Sequence, residues 1–155
     1  MDYSIAITTL KHSDPILARL IEIIGDCKLY QVQQTGDLLF SLSRSILYQQ
    51  ISGKAAESIH SKFLQLYPHS PFPTAIDILN TPDDVLPGAG ISRPKVLYLK
   101  DLAQKVLDGL PTLDQLQAME DESIIEALTP IKGVGRCRCC LCFVYIGLMF
   151  YLLMT

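Results

Sequence analysis

The sequence predicts an all-α fold made of short helices. Three observations carry that expectation. Helix-capping residues recur along the chain, apolar residues fall at three- and four-residue intervals between them, and no run alternates apolar and polar residues long enough to make a strand. Hydrophobic residues make up 49% of the 155, enough for a core and too many for a disordered chain.

Taken in order, Ser13-Asp14-Pro15 supplies an N-cap with proline in the first turn, and Ile16, Leu17, Leu20, Ile21 and Ile24 then line one face up to Gly25. Asp37 opens a second helix, with Leu38, Leu39, Leu42, Ile46 and Leu47 at helical spacing. Ser52 caps a third that turns Ala55, Ala56, Ile59, Phe63 and Leu66 inward and ends before Pro68. Thr81-Pro82 followed by Asp84 has the spacing of a capping box and predicts a short helix. Ser92 begins the next, which carries Val96, Leu99, Leu102 and Val106 until Gly109 stops it. Thr112 with Gln115 forms another capping box, and Asp121 precedes a helix holding Ile124, Ile125 and Leu128. Helices of roughly 8 to 16 residues are expected.

The net charge of −3 weighs against a protein that is basic all over, and leaves DNA binding only to a local basic face. Met1-Asp2-Tyr3-Ser4 has no basic flank, apolar core or small-residue cleavage site, so no secretory signal is expected and the protein reads as cytoplasmic. The five cysteines then read as reduced thiols. Cys139 to Thr155 carries no charge and approaches the length of about 17–20 apolar residues that a membrane helix needs.

One stretch carries chemistry. Leu128-Thr129-Pro130-Ile131-Lys132-Gly133-Val134-Gly135-Arg136 lies between two helical segments, and Gly-hydrophobic-Gly in that setting is the turn of a helix-hairpin-helix. Glycines suit such a turn because a phosphate can approach bare backbone that a Cβ would hold off. Amides at the start of the following helix then point at the anion, aided by the helix dipole. These contacts position a protein on DNA without reading bases. The tripeptide alone favours an ordinary helix–helix turn, where Gly-x-Gly is common, and it is the rest of the chain that reverses this.

It does so by resemblance. Ser45-Ile46-Leu47-Tyr48-Gln49-Gln50-Ile51-Ser52-Gly53-Lys54-Ala55-Ala56 resembles the Gln-Gln-Ile/Leu-Ser-x-Lys-Ala-Ala segment of the 3-methyladenine DNA glycosylase II type. Gly90-Ile91-Ser92-Arg93-Pro94-Lys95, followed by Leu99 and Leu102-Ala103, resembles that family's Gly-x-Ser-x-x-Lys helix start, and Ile-Lys-Gly-Val-Gly-Arg follows at the family's spacing. The three ordered matches cover roughly residues 14 to 136, and the chain resembles the helix-hairpin-helix DNA glycosylases.

The resemblance implies an enzyme that flips an alkylated purine out of duplex DNA and hydrolyses its N-glycosidic bond, with no cofactor, no metal and no obligate protein partner. Its partner would be double-stranded DNA containing alkylated bases. Flipping leaves a gap in the stack that a side chain fills; the resemblance makes Gln50 the wedge candidate and Gln49 the second. Lys132, Gly133, Val134, Gly135 and Arg136 form the expected phosphate-binding hairpin. Arg93 and Lys95 read as solvated charges.

The chain departs from the family after Arg136. The family continues with Trp-Thr, a hydrophobic helix and Val-Leu-Pro-x-Asp-Asp, whose second aspartate stabilises the positive charge growing on the sugar. Here the chain reads Cys137-Arg138-Cys139-Cys140-Leu141-Cys142, and no Asp or Glu follows Glu126. No catalytic residue is therefore assigned, and the chain is expected to be inactive. Codons for Met149 to Thr155, read from the third base of Met149, are forced to encode Val-Leu-x-x-x-Asp, the family signature in a neighbouring frame. A frameshift near Arg136 to Arg138 is the expectation, with the tail its product.

The cysteines lack the spaced pairs of a zinc site, and no membrane association is expected from a tail of that origin. Bifunctional relatives carry lysine directly after the hairpin's Gly-Arg, and position 137 is Cys137, which implies a hydrolase without strand cleavage. Three parts are expected: residues 1–36, an N-terminal helical segment that joins a second bundle in the family; 37–136, a helical domain ending in the hairpin; and 137–155, the hydrophobic tail. With the fold incomplete at the C-terminus, Pro15 to Ile24 should expose its apolar stripe and lower solubility. Two rival classes remain compatible with the sequence: a DNA-binding module without chemistry, and a small membrane-tethered protein.

Overall fold

The computed structural model of the protein describes residues 4–25 and 37–136. These form helices and turns, with no strand among the described residues. The chain divides into two compact units, Met1–Gln33 and Gln34–Thr155. The expectations about the cysteines beyond Arg136, the apolar tail and the altered reading frame all lie outside the described residues.

The first unit holds α1 (Ser4–Ser13) and α2 (Pro15–Ile24), which pack on each other. The sequence reading had no helix at α1. The helix accommodates its hydroxyls: Thr8, Thr9 and Ser13 donate back to the carbonyls of Ser4, Ile5 and Thr9 at 2.8, 2.9 and 2.8 Å, so these polar side chains find acceptors on the helix itself. At α2 the expected punctuation is present. Asp14 accepts from the amides of Ile16 and Leu17, Pro15 fills the first position, and Gly25 ends the helix at φ 86°. No residue of either helix is buried; Ile16, Ile23 and Ile24 stay 72%, 73% and 75% exposed.

The second unit begins with α3 (Leu38–Leu47), whose cap Asp37 accepts from the Phe40 amide at 2.7 Å. α4 (Gly53–Gln65) follows behind the cap Ser52. It buries Ala56 and Phe63 but leaves Ala55 exposed, because successive positions on a helix face different ways. Next come α5 (Ala75–Asn80) and α6 (Val85–Gly88). Here the sequence reading is corrected. The capping box belongs to Thr74 and Asp77, which start α5, while Thr81 ends that helix and donates its hydroxyl to the Asp77 carbonyl. α6 starts at Asp84 without a side-chain cap.

α7 (Arg93–Leu107) is the longest described helix and packs against α3, α5 and α6. It stops at Gly109, φ 99°, where the Leu110 amide bonds the Lys105 carbonyl. α8 (Leu113–Gln117) carries the expected Thr112–Gln115 capping box, and α9 (Asp121–Leu128) completes the set. One core joins these helices: Leu42, Ile46, Leu47, Phe63, Ile78, Leu99, Leu102, Leu116, Ile124 and Leu128 are all almost fully buried. The core holds α3, α7 and α9 in fixed positions, and the loops that follow α3 and α9 are where the expected site residues lie.

Candidate nucleic-acid interface

The hairpin after α9 alternates anchors with presented groups. Ile131 and Val134 are 1% and 4% exposed, and their amides bond the carbonyls of Leu128 and Ile131 at 3.1 and 3.0 Å. These two side chains pin the turn to the core. Lys132, Gly135 and Arg136 between and beyond them are exposed, and the backbone turns helical again at Arg136.

The two glycines have different jobs. Gly133 sits at φ 79°, and a Cβ there would collide with the ring of Tyr98. Its bare side therefore faces a protein ring, not solvent, and the expectation that both glycines clear room for phosphate is corrected. Glycine is needed at 133 for its backbone angle and for close packing on α7. At Gly135 a Cβ would meet nothing within 4 Å among the described residues, and the backbone there is exposed.

The cations flanking the hairpin are paired with carboxylates. The Lys132 amide donates to Asp101 Oδ2 at 2.8 Å, and its ammonium lies 3.5 Å from the same carboxylate. The Arg136 guanidinium pairs with Glu122. Both side chains stay largely exposed, 67% and 60%. Only the Arg136–Glu122 pair is exposed at both ends; such pairs contribute about 0–1 kcal/mol, so exchanging Glu122 for a phosphate costs little.

The loop between α3 and α4 lies against this hairpin. The Gln49 amide group reaches the Gly133 carbonyl at 3.5 Å, a long contact that nevertheless bridges 84 residues of sequence. Gln50 is exposed and adopts φ 58°, the only non-glycine residue with positive φ among those described. That left-handed geometry costs an L-residue about 1–2 kcal/mol and persists only where neighbours hold it. Before it, Tyr48 lies under the Arg44 guanidinium, 4.4 Å from its ring centre; after it, Ser52 caps α4.

What holds the loop is Lys95. Its ammonium donates to the carbonyls of Leu47 at 2.8 Å and Gln49 at 2.9 Å, capping the C-terminal end of α3. A cation suits that end of a helix dipole. Burial pulls the Lys95 pKa below the usual lysine value. Lys95 is thus a half-buried clamp, not the solvated charge its position at a helix start suggested. Arg93, two residues earlier, is exposed as expected.

Lys95, Tyr98 and Asp101 follow at three-residue steps and so share one face of α7. The first grips the α3–α4 loop, the second packs on Gly133 and the third caps Lys132. Tyr98 and Asp101 were not singled out from the sequence, and Lys95 was read there as a solvated charge. Their spacing was visible, but their partners lie 31 to 48 residues away. The structure thereby brings Gln49, Lys132 and Gly133 around one helix face, with Gln50, Gly135 and Arg136 exposed beside them.

Elsewhere in this unit an open groove is lined by Leu38, Leu39, Val106, Leu110, Pro111 and Leu113, with Asp37, Thr112 and Asp114. Two carboxylates and no cation make it a poor seat for a phosphate. Among the described residues no cluster of His, Cys, Asp or Glu is arranged to hold a metal, and no helix is long and apolar enough to cross a membrane.

Comparison with known proteins gives the same assignment. DNA-3-methyladenine glycosylase 1 of Schizosaccharomyces pombe is 30% identical over 119 residues, covering 76% of this chain and 52% of that protein. DNA-3-methyladenine glycosylase of Saccharomyces cerevisiae is 36% identical over 107 residues, covering 64% of this chain and 36% of its own length. Among solved structures, the S. pombe 3-methyladenine DNA glycosylase in complex with abasic DNA superposes with a TM-score of 0.84 at 27% identity, covering 92% of this chain and 69% of that one. The chain thus spans only part of each relative. The description of the HhH-GPD superfamily of base excision DNA repair proteins matches residues 43–139, more than half of the chain, and this protein belongs to that superfamily.

Proposed function

We propose that the chain docks on duplex DNA through the hairpin at Lys132 to Arg136 and inserts Gln50 where an alkylated purine has been flipped out, as part of a base-excision repair glycosylase. The observation that carries this reading is the shared support of the two loops. A backbone-docking turn and a strained, exposed glutamine are both tied to one face of α7. In this reading Gly135 presents bare backbone to a phosphate, Lys132 and Arg136 exchange their carboxylates for phosphate oxygens, and Gln50 occupies the vacated stack. Gln49 supports the wedge and is not itself the wedge, because its side chain is turned back to Gly133.

Base release needs more than this. The carboxylate that the family uses to stabilise the sugar cation has no counterpart after Glu126 in these 155 residues. We propose that they bind damaged duplex without hydrolysing it, that residues 1–36, 37–136 and 137–155 are its three parts, and that the setting is cytoplasmic, where the cysteines stay reduced. The S. pombe neighbour was captured on abasic DNA, which makes an abasic duplex the natural probe. The 155-residue chain is expected to prefer an abasic duplex over an intact one and to release no base from methylated DNA above background. Release above background would contradict the inactive reading, and equal indifference to both duplexes would contradict the docking reading.

A further inference from the structure

We propose that Lys95 is a positioning residue for base flipping: by gripping the Leu47 and Gln49 carbonyls it holds the Gln50 loop in register with the phosphate-docking hairpin. This inference rests on the DNA-docking reading above. Three observations converge on it. The ammonium reaches two carbonyls of the segment immediately before Gln50, at 2.8 and 2.9 Å. Gln50 keeps a backbone angle that an L-residue leaves unless both flanks are fixed. The Gln49 side chain meanwhile contacts the Gly133 carbonyl of the hairpin.

The arrangement makes one body of two loops. α7 supplies Lys95 to the first and Tyr98 and Asp101 to the second, so neither loop moves without straining contacts on a single rigid helix. A phosphate gripped near Gly135 therefore sets where Gln50 enters the duplex. Without the clamp the hairpin still meets phosphates, while the wedge relaxes out of its left-handed angle. Lys95 thus contributes to discrimination between damaged and intact duplex more than to backbone affinity.

The test measures affinity of the full chain for an intact duplex and for the same duplex with one abasic site. Lys95→Met keeps the aliphatic stem and removes the donors. It is expected to leave intact-duplex affinity within about twofold and to cut the preference for the abasic duplex by about tenfold, the loss of a charge-assisted contact. Lys95→Arg should restore most of the preference, since a guanidinium also donates to two carbonyls. Lys100→Met, on the same helix but paired with Asp83, should change neither value. Should Lys95→Met fail to fold, Gln49→Ala tests the coupling alone and is expected to lower the preference in the same direction. An unchanged preference in the folded Lys95→Met protein, or in Gln49→Ala, overturns the proposal, as does an equal loss on both duplexes. A wild-type chain that binds neither duplex overturns the DNA-docking reading itself, a result distinct from either of those.

Discussion

At the scale of single residues, Gly133 and Gln50 both hold left-handed backbone, and they do so for different reasons. Gly133 has no alternative: the turn demands φ 79° and the Tyr98 ring occupies the place of a side chain. Gly133→Ala is expected to lose about 1–2 kcal/mol for the backbone angle and about 1–3 more for the clash, measured by denaturant unfolding. Adding Tyr98→Ala should recover the clash portion only, so the double variant separates the two. Recovery of the whole loss would place the entire requirement in packing. Gln50 has an alternative and is held away from it. The glycine pair was legible in the sequence as a turn, whereas the reason for Gly133 was not, because nothing in Gly-Val-Gly reveals an aromatic ring from another helix. Lys95 was misread for a related reason: a lysine whose partners are backbone carbonyls 46 and 48 residues away leaves no side-chain pattern to find.

At the scale of elements, local punctuation largely determined what could be read. Asp14, Asp37, Ser52 and the Thr112–Gln115 pair each start a helix where capping chemistry says they should. The error at Thr81 came from a motif that fits two places, and Thr74 with Asp77 holds the box in the fold. The packing of α4 on α3 carries its own prediction. His60 lies among Phe40 and Tyr48, and its Nε2 is buried with no hydrogen-bond partner among the described residues. Burial, with the Arg44 charge second, lowers its pKa below the ordinary 6.5. The folded state therefore binds a proton less readily than the unfolded chain, and stability falls as pH drops below 6.5 toward the folded value. Thermal melts of the wild type should shift down through this window. His60→Phe, which keeps an aromatic ring in place, should flatten the shift, and an unaltered slope would show that another group is responsible.

At the scale of the whole molecule, the net charge of −3 means that any DNA binding is local, resting on Lys132, Arg136 and bare backbone. Few phosphates are then engaged, and affinity should decline with salt at a slope of about 0.9 per phosphate contacted. The apolar residues left exposed on α2 predict limited solubility, as the sequence already suggested. Ile16→Lys combined with Ile23→Glu should raise the soluble yield, and an unchanged yield would remove that helix as the cause. The membership of the chain in its superfamily was legible from three short motifs in order, since they encode the α3–α4 loop, the start of α7 and the hairpin. What joins those three pieces was hidden until the helices were packed.

The docking of duplex phosphates at the hairpin is tested most directly at Gly135, where a side chain meets none of the described residues and the backbone angle tolerates one. Gly135→Asp should leave the thermal midpoint unchanged and weaken binding to an abasic duplex more than about tenfold, since a carboxylate then stands where the phosphate must come. Equal affinity of the folded variant and the wild type would contradict the account.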